Sequence, residues 1–393
     1  MTDFCDQAFV LLKQWVVAWP IWPDGLRPLV SIGLSIAAIM GVFGLLFGLT
    51  TVVERKMIGR MQNRYGPNRV GPYGFLQFAA DGIKALTKED VVPRAADRVV
   101  HFLAPLAVVV PVFLAYSVLP FGRNMVPIDI DSGVLFFFAV GAATELSIFM
   151  AGWSSRNKYS LFGAMRAIAQ MISYEVPLIL SSLTVVMVVG SLSTVKIVEA
   201  QAEYSGQWPN WHVFTPWGFA GFCLFVIAAM AESNRSPFDL PEGESEIVAG
   251  YFLEYSGFKF ALFFLAEYLG MFAVSGMAAT LFLGGWTAPL AFLDWLPSWF
   301  WFLGKVVALI LFFIWVRGTV PRLRMDQLMG FAWKFMLPMA LINVLAAGLW
   351  HFVAPGAARW IGCAALIAVP YVLLGRGMAR SKHLGQRTYR YAE

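Results

Sequence analysis

The feature that most constrains this chain is a series of apolar runs, each long enough to cross a bilayer as a helix. A transmembrane helix needs about 20 apolar residues, and the runs lie at 29–53, 99–120, 133–153, 166–190, 216–231, 259–283, 299–316, 335–353 and 358–375. Because 59% of the residues are hydrophobic and only 13% are charged, no water-soluble fold could bury this surface. The runs lack the alternation of barrel strands. The sequence therefore predicts an all-α polytopic membrane protein with a bundle of about nine transmembrane helices.

Two further helices are predicted outside the spans. Residues 4–19 form an amphipathic pattern with Trp15 and Trp19 as interfacial anchors, which is typical of a helix lying on the membrane. Residues 73–87, after the first span, place most of their apolar side chains on one face. We expect this second helix to lie along the membrane surface as well.

The basic residues predict the orientation of the chain. The loops after the first, third, fifth and seventh spans, together with the C-terminal tail, carry 23 of the 29 lysines and arginines. Basic loops stay in the cytoplasm, so the N-terminus is expected outside and the tail inside. The net charge of +5 is then an orientation signal rather than a nucleic-acid footprint.

The cysteines and histidines predict no metal site. Cys5, Cys223 and Cys363 stand far apart, without the paired spacing of zinc or iron–sulfur ligands, and the four histidines are equally scattered. We therefore expect that this chain carries no redox centre of its own.

Four acids stand within predicted spans or at their edges: Glu145, Glu175, Glu232 and Glu267. A charged acid at mid-bilayer costs about 2.5–3.5 kcal/mol on insertion scales, so each should face the bundle and be neutral or paired. Such groups are candidate proton carriers. The alternative is that each acid only pairs with a base or bonds a neighbouring helix. Lys305, the one base within a span, is expected to reach the nearby interface.

The segment 232–257 concentrates acids between the fifth and sixth spans. Its acids are Glu232, Asp239, Glu242, Glu244, Glu246 and Glu254, and its one base is Arg235. Glu242 and Glu246 would share a helix face, where like charges can share one proton. The alternative is a solvated acidic loop that docks a basic partner.

Four sequence blocks resemble one family. The first has ERK at the end of the first span and then RYGPNRVGPYGFLQFAADGIKALTKED, and the others lie at 151–178, 231–257 and 321–338. They resemble the H subunit of NADH:quinone oxidoreductase (respiratory complex I), called subunit 1 in mitochondria. The resemblance runs from about 30 to 353. It implies a core of eight helices at 29–353 and says nothing about the extra helix and basic tail at 354–393. Together with the amphipathic segment at 1–28, we expect a single membrane domain, 1–393.

The resemblance assigns roles to matching residues. One group would link quinone chemistry to proton movement: Tyr174, Glu175, Glu232, Asp239, Glu242, Glu244, Glu246 and Glu267. Glu145 joins this group only on the argument from buried charge. A second group would lie along or near the quinone path: Glu54, Arg55, Gln62, Arg64, Asp81, Phe264 and Arg317. Arg235 and Arg322 would be ion-pair partners of the acids.

The resemblance also implies a substrate and partners. The substrate would be a quinone, ubiquinone or menaquinone, with its tail in a corridor between the first span, the surface helix and the sixth span. Hydrophilic iron–sulfur and quinone-site subunits would bind on the cytoplasmic side, and small and antiporter-like subunits would lie beside this chain among the lipids of a bacterial inner membrane. No glycine-rich phosphate loop stands in the right context, so NADH is expected to bind elsewhere.

Two alternatives remain at this point. The equivalent subunit of a membrane-bound hydrogenase or another non-NADH dehydrogenase would share the proton machinery. A free-standing ion transporter would also need buried acids, although no inverted repeat is apparent in the two halves of the chain.

Overall fold

The computed structural model describes residues 2–19, 23, 25–239 and 249–380. Within them the α-helices are α1 (Thr2–Val17), α2 (Arg27–Met61), α3 (Gln77–Thr87), α4 (Arg98–Ala115), α5 (Gly133–Ser154), α6 (Lys158–Val189), α7 (Thr194–Gln201), α8 (Pro216–Glu232), α9 (Gly257–Phe282), α10 (Ser298–Thr319), α11 (Met325–Phe331), α12 (Leu337–Phe352) and α13 (Ala357–Arg380). A short antiparallel pair, β1 (Tyr204–Ser205) and β2 (Trp208–Pro209), joins α7 to α8. The prediction of an all-α polytopic membrane protein is confirmed.

Each of the nine predicted spans coincides with a helix. In the described part of the chain, eight helical segments are long and apolar enough to cross a membrane, and the fifth predicted span, α8, is shorter at 17 residues. Two helices extend well beyond their apolar runs, α2 to Met61 and α6 back to Lys158. Polar residues continue a helix as well as apolar ones do, so hydropathy alone cannot mark these ends.

The eighth predicted span contains a break in helical geometry. Residues Ala332–Met336 form a π-helical segment between α11 and α12. Such segments are rare and are often found at functional sites. Tyr174 on α6 contacts α11 just before this segment, since its hydroxyl donates to the carbonyl oxygen of Leu328 at 3.0 Å.

The two predicted surface helices are present. α3 has no buried residue and packs on α2 and α9. It approaches α2 closely at Gly48, where an added Cβ would lie 2.6 Å from the ring of Phe78. α1 packs on α2, and Asp6 accepts a hydrogen bond from the backbone N–H of Ser298 at 2.5 Å, which satisfies one free donor at the start of α10.

The core lies among α4, α5, α6, α8, α9 and α12, which pack on one another. Most residues of the second half of α9, from Met271 to Phe282, are buried. α2 and α13 lie at the periphery and expose most of their apolar side chains. The predicted membrane acids are carried by four helices that all belong to this core: α5, α6, α8 and α9.

Candidate functional site

An ion cluster surrounds Glu54 near the C-terminal end of α2. Its carboxylate accepts hydrogen bonds from Arg317 of α10 and from the hydroxyl of Tyr268 on α9, the latter at 2.6 Å. Arg235 lies 3.7 Å from the same carboxylate, and its guanidinium stacks 3.7 Å from the centre of the Tyr268 ring. Glu54 and Arg235 are both buried. Buried charges are tolerated when they are paired and hydrogen-bonded in this way.

Arg235 is held by the chain turn that follows α8. The helix ends at Glu232, Asn234 takes a left-handed conformation with φ 50°, and the backbone N–H of Arg235 donates to Met230. Gln170 of α6 stabilises this turn, because its side-chain amide donates hydrogen bonds to the carbonyl oxygens of Ala231 and Phe238 at 2.7 Å each.

The electrostatic surroundings keep Arg235 charged. Burial alone would lower the pKa of Arg235, but its interactions with Tyr268, Glu54 and Glu267 outweigh burial and raise the pKa above the ordinary value. A permanent positive charge therefore lies inside the protein, between acids of different helices.

A second cluster is a row of four half-buried carboxylates on neighbouring helices. Glu145 lies on α5, Glu175 on α6, Glu232 at the end of α8 and Glu267 on α9. The charge of Glu175 acts on both Glu145 and Glu232, so these three groups are electrostatic neighbours. Glu267 interacts instead with Arg235 and accepts a hydrogen bond from Tyr251 at 2.9 Å.

A small cavity connects two of these acids. Its volume is about 80 Å³, and its polar lining includes Glu232, Asn234, Tyr251 and Glu267. A cavity needs at least about 10–15 Å³ to hold a water molecule, so this one has room for water. One oxygen of Glu232 is buried and has no hydrogen-bond partner among the described residues. Such an atom would be satisfied by water in this cavity.

The acidic segment is described only at its two ends. Asp239 is buried and pairs with Arg322 at 3.1 Å. Glu254 accepts a hydrogen bond from Asn157 at 2.6 Å. The predicted residues Glu242, Glu244 and Glu246 lie outside the described residues.

The residues predicted to lie along a quinone path fall into four places. Arg55 and Asp81 form an ion pair at 2.6 Å that joins α2 to α3. Arg64 donates to Gln62 at 2.8 Å in the loop between these helices. Phe264, on α9, packs against the rings of Phe252 and Phe260. Glu54 and Arg317 belong to the ion cluster, where they meet the predicted ion-pair partner Arg235.

Three residues of the site were not predicted from the sequence. Tyr268 and Tyr251 donate to Glu54 and Glu267, and Gln170 fastens the turn that carries Arg235. The sequence contained one signal for Tyr268, since this residue directly follows the predicted site residue Glu267.

Lys305 binds the backbone of the connection that follows α9. Its ammonium donates to the carbonyl oxygens of Leu283, Gly285 and Thr287, at 2.6–2.8 Å. These carbonyls follow the C-terminus of α9, where helical partners are lacking and the helix dipole favours a cation.

Comparisons with known proteins place the chain in a family. Residues 34–348 match the family described as NADH dehydrogenase. The chain is 50% identical over 318 residues to the H subunit of NADH-quinone oxidoreductase from Dehalococcoides mccartyi strain CBDB1, a match that covers 79% of this chain and 86% of that protein. The chain belongs to the family of NADH-quinone oxidoreductase H subunits. The family member from Geobacillus kaustophilus is 45% identical over 346 residues, covering 87% of this chain and 100% of that protein.

The family match includes every described residue of both clusters. It begins within α2 and ends within α12, so α1 and α13 lie outside it. Members of the family are named as subunits of an enzyme complex, NADH-quinone oxidoreductase. These names favour complex I over the hydrogenase and the free-standing transporter.

Proposed function

We propose that the chain forms the membrane part of the quinone path in a proton-pumping NADH:quinone oxidoreductase and couples quinone reduction to proton movement. The observation that carries this proposal is the position of Arg235. This buried cation interacts with Glu54 of the ion cluster and with Glu267 of the carboxylate row. A change of charge beside Glu54 therefore changes the electrostatic potential at Glu267.

The quinone path is proposed between α2, α3 and α9. These three helices pack on one another, and α3 lies at the surface with Ile83 and Leu86 exposed. An apolar quinone tail would enter from the bilayer along this exposed apolar surface. Polar groups on the way are the Arg55–Asp81 pair and the Gln62–Arg64 pair, which lead towards the ion cluster.

The coupling step is proposed to begin when the quinone head accepts electrons and draws protons. The new charge shifts Arg235 relative to Glu54 and Glu267. This shift changes the proton affinity of Glu267, so Glu267 gains or loses a proton. Glu232 then responds across the water-sized cavity, and Glu175 and Glu145 follow because each lies within electrostatic range of the next. Asp239, together with the segment that contains Glu242, Glu244 and Glu246, would take part at the quinone end.

The remaining subunits would complete the enzyme. Hydrophilic subunits on the cytoplasmic side would deliver electrons from iron–sulfur centres, and antiporter-like membrane subunits would receive the electrostatic change. The distribution of basic residues supports the orientation required, with the N-terminus outside and the acidic segment on the cytoplasmic side.

The proposal is tested by Glu175→Gln in the assembled complex. Glutamine keeps the shape of the side chain but cannot carry a proton, so we expect both proton pumping and quinone reduction to fall by about tenfold or more, within the range of proton-transfer effects. The matched control is Glu199→Gln, which changes an exposed acid on α7. If the Glu175 variant pumps and reduces quinone at the rates of the control, the coupling role is wrong.

A further inference from the structure

A large cavity lies between α8, α10, α11 and α13, and its described lining includes no residue of the two clusters. Its volume is about 1520 Å³, beyond the roughly 300–1,000 Å³ of ordinary small-molecule pockets. Most of its lining is apolar, with Val226, Leu309, Phe312, Phe331 and Leu374 among the contributors. A small polar metabolite would leave most of this apolar surface uncovered.

The length of the cavity identifies the size of its occupant. Along α10 the lining runs from Lys305 through Val316 and on to Val320, a rise of 15 residues or about 22 Å at 1.5 Å per residue. A bilayer with its headgroups is about 40–45 Å thick, so a single leaflet measures about 20–22 Å. A helix that crosses the membrane would need about 30 Å of hydrocarbon. The cavity therefore has the length of one leaflet.

The charges of the lining are unequal at the two ends. At the end near Val320, Asp326 and Lys334 are both exposed and carry opposite charges. At the other end Lys305 is the only charged residue of the described lining, and its three ammonium hydrogens are already directed to three carbonyl oxygens. Polar recognition is therefore confined to one mouth of the cavity.

We propose that this cavity binds one phospholipid with an ethanolamine-type headgroup. Its phosphate lies against Lys334, its ammonium against Asp326, and its acyl chains along α8 and α10. An acid and a base at the mouth complement a zwitterion better than a purely anionic headgroup. The mouth lies on the side that the basic residues assign to the cytoplasm, so the lipid belongs to the inner leaflet. This site is separate from the proposed quinone path and does not depend on it.

The first experiment asks what occupies the cavity. The photo-reactive residue p-benzoyl-phenylalanine replaces Phe312, an aromatic lining residue on α10, and the complex is irradiated in native membranes. We expect a cross-link to a phospholipid, seen by mass spectrometry as a lipid adduct on this chain. A cross-link to another protein of the complex would show that a partner helix fills the cavity, and would overturn the proposal.

The second experiment counts lipids. Ala308→Trp places an indole ring inside the cavity, whereas Ala365→Trp places the same bulk on an exposed position of α13 that is not part of the described lining. After mild detergent washing of the purified complex, we expect the Ala308 variant to retain about one phospholipid fewer per complex than the Ala365 variant. Equal lipid counts would contradict the proposal.

The third experiment tests the headgroup. In nanodiscs of equal phosphatidylethanolamine and phosphatidylglycerol, the complex should retain the ethanolamine lipid, and Asp326→Asn should shift retention towards phosphatidylglycerol by several-fold. Lys334→Gln should weaken retention of both lipids, because both carry a phosphate. An unchanged lipid ratio in the Asp326 variant would overturn the assignment of the headgroup.

Discussion

Glu54 holds two arginines and a tyrosine around one carboxylate. It accepts hydrogen bonds from Arg317 and Tyr268 and lies 3.7 Å from Arg235. Because Arg235 is buried, its positive charge has little access to water as a substitute partner. The cluster therefore depends on this single acid more than on any of its bases.

Glu54→Gln should destabilise the assembled protein strongly. Removing one partner of a buried pair costs about 3–5 kcal/mol because the other charge is left uncompensated. We expect a clear fall in the midpoint of thermal inactivation. The stability control is Asp81→Asn, which breaks the exposed Arg55–Asp81 pair, for which about 0–1 kcal/mol is expected. Equal shifts in the two variants would contradict the buried character of the cluster.

His212 lies in the turn before α8 and is buried beside Trp217. Burial lowers the pKa of its imidazole from 6.5 to about 4. In the unfolded chain the ring takes up a proton as the pH falls through 6.5, whereas in the folded protein it remains neutral until about 4. The unfolded state then binds more protons, so the contribution of His212 to stability declines as the pH falls across this window.

His212→Phe should remove this pH dependence. Phenylalanine keeps an aromatic ring beside Trp217 but cannot be protonated, so the variant should lose less stability than the wild type when the pH is lowered from 6.5 towards 4. The measurement is the thermal midpoint across this pH range. Parallel curves for the two proteins would show that His212 does not contribute.

At the scale of elements, α6 contacts the C-terminal part of the acidic segment, and this contact positions Tyr251. Gly163 on α6 faces Gly250, and an added Cβ would lie 2.6 Å from the Gly250 carbonyl carbon. Ser160, one turn earlier, donates to the carbonyl oxygen of Tyr251 at 2.8 Å. This close backbone approach lets Tyr251 reach Glu267.

Gly163→Ala should therefore disturb both packing and function. Backbone atoms cannot rotate out of the way, and overpacking typically costs about 1–3 kcal/mol. We expect a lower thermal midpoint and reduced proton pumping per assembled complex. Gly304→Ala on α10 is the control, because an added Cβ there meets no atom within 4 Å. A Gly163 variant as stable as this control would refute the steric argument.

The elements were more predictable from the sequence than the contacts between them. Apolar length predicted the nine helices because the bilayer imposes a minimum length on each span. It missed the ends of α2 and α6, where the helix continues through polar residues. The hydrogen bonds of Tyr251 and Tyr268 were missed because they join residues of different helices or loops, and no local pattern encodes such pairs.

At the scale of the whole molecule, the site lies in the core and the extra helix lies at the edge. α13 packs on α12 and α8, lies outside the family match, and carries no residue of either cluster. The helix does form one wall of the large cavity, through residues such as Leu374 and Met378. Its contribution should therefore be to packing and lipid retention rather than to catalysis.

A chain truncated after Val353 tests this division. We expect the truncated protein to assemble in lower yield and to bind less phospholipid, because one wall of the cavity is missing. Its quinone reduction per assembled complex should stay within about twofold of the full chain, since both clusters are intact. Loss of activity in a normally assembled complex would place a functional residue in the C-terminal region.

The π-helical segment at Ala332–Met336 has a consequence for the direction of every side chain after it. A helix turns by about 100° per residue, so one extra residue rotates the following helix by that angle about its own axis. With this rotation, Asn343 on α12 is buried against α8, where an added Cβ on Gly221 would lie 3.0 Å from its amide nitrogen. Deleting one residue from the segment would leave the chain almost the same length. It would nevertheless swing Asn343 by more than a quarter turn, away from α8, and present a different stripe of α12 to the core.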